Sequence, residues 1–77
     1  MQIEGKDLMQ HARELGLAPN DLWRAMGIKQ SNAREIVQGK RPVPRWVSSW
    51  LCMAAYIKRE DPEWWEKFVA DRKRAND

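Results

Sequence analysis

Seventy-seven residues weighing 9.1 kDa leave room for one small domain, expected to span 1–77. A chain this short buries only about 60% of its unfolded surface. With 43% hydrophobic and 32% charged residues the sequence reads as globular, and disorder is excluded. A single Cys and a single His exclude an internal disulfide and a zinc site of the usual kind. No apolar run approaches the roughly 20 residues that a membrane helix needs. The opening Met1–Asp7 segment has no apolar stretch of the kind a signal peptide carries. The expected setting is reduced and cytoplasmic, without membrane contact.

In chain order, the first helix is predicted over 4–15, with Leu8, Ala12 and Leu15 on one face and Gly16 as its stop. A second begins at Pro19, a residue suited to the first helical position, and has Asp21 in its first turn. Leu22, Ala25 and Met26 face inward, Gly27 ends it, and Ile28 plugs the turn. A third runs over 30–38, with Ala33, Ile36 and Val37 inside, Gln30, Ser31, Arg34, Glu35 and Gln38 outside, and Gly39 as C-cap. Pro42 and Pro44 force extended geometry before a fourth helix over 45–59. Its core side is predicted to hold Trp46, Val47, Trp50, Leu51, Ala54 and Ile57. Asp61-Pro62-Glu63 is a start signal for an extra C-terminal helix over 62–73, and the tail after it is expected to fray. The expected class is all-α with five helices.

The net charge of +3 is unevenly spread. Residues 29–45 carry Lys29, Arg34, Lys40, Arg41 and Arg45 against Glu35 alone, while the chain before is slightly acidic and the chain after is balanced. Such a stretch reads either as a solvated basic loop or as a site for a polyanion. Five tryptophans are a high load for this length. Trp64, Trp65 and Phe68 make a wide apolar face, which either packs back on the bundle or forms a dimer or partner surface. His11 reads as a surface residue and Cys52 as a small helix residue with no redox task.

Two short helices joined by a turn containing Gly27 form a helix-turn-helix candidate, with its core over 17–39. The segment from Leu15-Gly16-Leu17 through Met26-Gly27-Ile28 to Gly39-Lys40-Arg41-Pro42 resembles, without a gap, the DNA-binding unit of the Cro/C1 (Xre-type) family of bacterial and phage repressors. Gly5-Lys6-Asp7-Leu8 and Arg45-Trp46-Val47 are also similar to that family, so the resemblance covers about 5–57 and excludes the last helix.

The resemblance implies a lambda-repressor-like five-helix bundle whose third helix enters the major groove of double-stranded DNA. On that basis Gln30, Ser31, Arg34 and Glu35 are the candidate base-reading residues. A glutamine can pair bidentately with adenine and an arginine with guanine; Glu35 either accepts from cytosine or pairs with another side chain. Lys29, Asn32, Lys40, Arg41 and Arg45 are the candidate phosphate contacts. The implied function is a sequence-specific transcriptional regulator, a phage- or prophage-type repressor acting as a homodimer on a pseudo-palindromic operator. No metal or other cofactor is expected.

The sequence also departs from the family. Ala18 and Pro19 stand where a small hydroxyl cap and a phosphate-gripping glutamine are usual, and Lys29 replaces a second small cap. Trp23 replaces the usual alanine, which implies either a clash or an outward-pointing indole. The alternative function is a small protein-binding inhibitor or adaptor that reuses the fold through its Trp-rich surface at Trp23 or Trp64–Phe68. An enzyme is not expected, because the sequence offers no nucleophile–base pair, metal cluster or phosphate-cradling glycine loop.

Overall fold

The computed structural model describes residues 3–74, with side chains up to Lys73. The tail expected to fray lies, from residue 75 onward, outside the described residues. A single turn of 3-10 helix, Gly5–Asp7, leads into α1 (Leu8–Glu14), and α2 (Pro19–Met26), α3 (Gln30–Val37), α4 (Arg45–Glu60) and α5 (Pro62–Arg74) follow. No strand occurs among the described residues, so the protein is a five-helix all-α bundle.

The first helix is shorter than the expected 4–15. Glu4 is extended, and the Asp7 N–H donates to its carbonyl at 2.9 Å, which tightens the start into a 3-10 turn. Within this turn Gly5 packs directly against α3: a Cβ at this position would overlap the carbonyl oxygen of Ile36.

Glycine ends the first two helices by one device. Gly16 and Gly27 have φ of 77° and 78°, a left-handed conformation that costs a residue with a Cβ and costs glycine nothing. The Leu17 N–H then donates back to the Ala12 carbonyl, and the Ile28 N–H to that of Trp23, satisfying the orphan carbonyls of each last turn. Each closure aims the next residue inward: Leu17 is buried, and Ile28 packs half-buried against the core.

The core draws on every helix. Leu8 and Ala12 come from α1, Leu22, Trp23 and Met26 from α2, Ala33 and Ile36 from α3, Val47, Leu51 and Ala54 from α4, and Trp65 from α5. Trp23 is only 5% exposed. It neither clashes nor points outward, since α5, packing on both α2 and α4, completes a body large enough to hold it.

One expectation about tryptophan is corrected, and one pair of readings is decided. Trp46 is 46% exposed, because at about 100° per residue it lies off the Val47–Leu51–Ala54 face. Trp65 is buried and its indole N–H donates to the Leu15 carbonyl at 2.8 Å, so it belongs to the core and not to an exposed partner face. Trp64 is exposed and stacks on Phe68, with ring centroids 5.5 Å apart.

The α4–α5 corner is a single residue, Asp61. Its carboxylate accepts the Trp64 N–H at 3.2 Å, the N-cap expected from the Asp-Pro-Glu signal. Asp61→Ala is expected to lower stability by about 1 kcal/mol, a fall in Tm of roughly 4–8 °C, with Asp61→Asn retaining most of it. Thermal melts of the three proteins check this. On the opposite side, the Lys58 ammonium donates to the Glu14 carbonyl, placing a cation at the C-terminal end of α1.

Candidate nucleic-acid interface

The inner stripe of α3 decides what its outer face presents. Ala33 and Ile36 are buried and Val37 half-buried, so the remaining positions turn outward at the helical repeat. Gln30, Ser31 and Arg34 are all exposed, with Gln30 and Arg34 one turn apart on the same side. Glu35 and Asn32 are half-buried. α3 has no side-chain cap at Lys29, and α2 has none at Ala18, as the missing hydroxyl residues imply. The first N–H groups of α3 therefore remain as donors at its positive end.

The basic stretch surrounds this face. Lys29 sits at its N-terminal end, Lys40 and Arg41 follow Gly39 at its C-terminal end, and Arg45 opens α4; all four are exposed. Among the described residues Lys29, Arg34, Lys40 and Arg45 have no ion-pair partner. Arg41 differs: its guanidinium pairs with the Glu35 carboxylate across the end of α3. Of the two readings of Glu35, the structure shows the pairing with a side chain. An exposed pair of this kind contributes about 0–1 kcal/mol, so it orients the two groups without locking them.

Two features were not singled out in the sequence. Asn20, exposed at the start of α2, has its carboxamide oxygen 3.5 Å from the Gln30 side-chain nitrogen, a long contact that sets the two amides side by side. Beyond the C-terminal end of α3 an open groove is lined by Lys6, Gln38, Arg41, Arg45, Ser48 and Ser49. Ser48 and Ser49, one turn along α4 from Arg45, carried no sequence signal, and Lys6 is brought to the basic stretch by the packing of the first turn against α3. Lys6 itself pairs with Glu4 at 3.2 Å.

Other chemistry is sparse. No group of three or more potential metal ligands occurs among the described residues. His11 lies 3.8 Å from Glu14 on α1, and Cys52 is exposed on α4. No described helix is long and apolar enough to cross a membrane. Compared with known proteins, the chain matches no family model, no curated protein and no solved structure at a significant level.

Proposed function

We propose that this protein is a sequence-specific double-stranded DNA-binding regulator with a lambda-repressor-like fold of the Cro/C1 type, acting as a dimeric repressor and not as an enzyme. The observation that carries the reading is the outward face of α3. It combines exposed Gln30, Ser31 and Arg34 with unpaired cations at both ends. Polar side chains with directional donors and acceptors can read base edges, whereas flanking cations hold phosphates and set the register.

In this reading α3 lies in the major groove. Gln30, steadied by Asn20, meets an adenine; Arg34, one turn on, meets a guanine; Ser31 donates or accepts between them. Lys29 and the free N–H groups at the start of α3 face one phosphate strand. Lys40, Arg45 and the serine-lined groove follow the other, joined by Arg41 when it releases Glu35. The contact expected of a glutamine at the start of α2 is missing, and Asn20 is the neighbour able to replace it.

Salt dependence tests the proposal most directly. Four phosphate contacts per protomer give a log–log slope of about −3.6, a loss of roughly 150-fold per protomer between about 50 and 200 mM salt. Fluorescence anisotropy of a labelled duplex measures it. A shallow slope, or no binding at low salt, would sink the DNA reading and favour a protein partner at the exposed Trp64–Phe68 stack.

A further inference from the structure

The outer side of α4 is apolar where a helix of a finished bundle would be polar. Trp46, Met53 and Tyr56 are 46%, 64% and 58% exposed, and Trp50 and Ile57 are half-buried at the edge of the core. Trp46, Trp50, Met53 and Ile57 follow one another at intervals of four, three and four residues. That is the spacing of a seam that packs against a second helix, not of a face that meets water.

We infer that this seam receives the same seam of a second copy of the chain, with the two α4 helices antiparallel and Met53 at the two-fold axis. Area identifies a partner of this size. A standard interface removes about 800 Å² from each partner, somewhat more than half of it apolar. The uncovered parts of the three exposed side chains and the edges of Trp50 and Ile57 supply about 400 Å² of apolar surface, taking about 200 Å² for a whole large side chain. Charge chooses the direction. The N-terminal end of α4 carries Arg45, with Lys40 and Arg41 just before it, whereas the other end sets Glu60, Asp61 and Glu63 against Lys58 and Arg59, with Arg59 paired to Glu60, and is slightly acidic. A parallel pair sets the basic ends against each other. An antiparallel pair keeps the basic ends apart and sets each near the partner's slightly acidic end.

This inference deepens the dimeric reading above by assigning its surface to α4 in place of the Trp64–Phe68 face. It is tested without DNA, so its failure and the failure of DNA binding are separate results. Sedimentation equilibrium of the full chain is expected to give twice the 9.1 kDa chain mass. Met53→Glu places two like charges at the axis and is expected to return the mass to the monomer with an unchanged far-UV spectrum. Trp64→Glu, on α5, is expected to leave the dimer intact. In a Cys52→Ser background, Met53→Cys is expected to oxidise to a linked dimer and Trp46→Cys is not. A monomer up to the millimolar range, a dimer that survives Met53→Glu, or one dissociated by Trp64→Glu would overturn the assignment. Linkage through Trp46→Cys as readily as through Met53→Cys would overturn the antiparallel arrangement.

Discussion

Truncating Trp65 to alanine is expected to remove most of the stability of this chain. Taking a large aromatic out of a packed core costs about 3–5 kcal/mol. The same change strips the Leu15 carbonyl of the indole N–H that it accepts, at the point where α1 gives way to the turn before α2. An acceptor left unsatisfied adds about 1 kcal/mol or more. Domains of this length hold roughly 4–12 kcal/mol in all, and small cores fall toward the lower end. Urea melts followed by far-UV circular dichroism measure the loss. Trp65→Phe keeps much of the packing but not the donor and is expected to cost about 1–2 kcal/mol. Trp64→Ala, on the exposed side of the same helix, is expected to cost less than either. A Trp65→Ala protein within 1 kcal/mol of the parent would mean that α5 folds independently of α1, contrary to the bond between them.

Arg34→Ala and Lys40→Ala are expected to fail in different ways on DNA. Arg34 sits mid-face on α3, one turn beyond Gln30, and its assigned partner is a base edge. Losing a bidentate contact costs about 1–3 kcal/mol for the preferred base and little for the others, so the preference at one position relaxes by roughly 5- to 150-fold. Lys40 lies past the glycine that ends α3, beyond the reading face. Its removal is expected to weaken all duplexes alike and to reduce the magnitude of the salt slope by about 1. Competition titrations against a panel of single-base operator variants, repeated at several salt concentrations, separate the two. Equal effects on preference and slope from both substitutions would contradict the assigned roles.

Helix ends were legible in the sequence because the signals that set them are local. Gly16, Gly27 and Gly39 stop helices through their own φ, and Asp61-Pro62 starts one through its own carboxylate and ring. The outer face of α3 was legible for the same reason: one buried stripe of Ala33 and Ile36 fixes what faces out. The tryptophans were not legible. An apolar side chain at helical spacing is compatible with two adjoining faces: the packing of α5 on α2 and α4 takes Trp23 and Trp65 in, while Trp46 lies off the core face of α4 and Trp64 stays out. The pairing of Glu35 with Arg41 spans a turn, and the nearness of Asn20 to Gln30 spans two helices. Both depend on how elements are set against each other, which no local pattern encodes.

The contact of Gly5 with the Ile36 carbonyl bears on how this protein tolerates sequence change. A glycine that is half-exposed, five residues into the chain, would ordinarily be ranked among the freely variable positions. Here even the smallest side chain must push the first turn off the backbone of α3. In a library selected for operator binding, position 5 would therefore be depleted of every alternative, alanine included. Its neighbour Glu4, whose side chain is turned to solvent, would vary. Purifying selection at this position would report the seating of the helix that carries Gln30 and Arg34, through a residue with no side chain of its own to meet the operator.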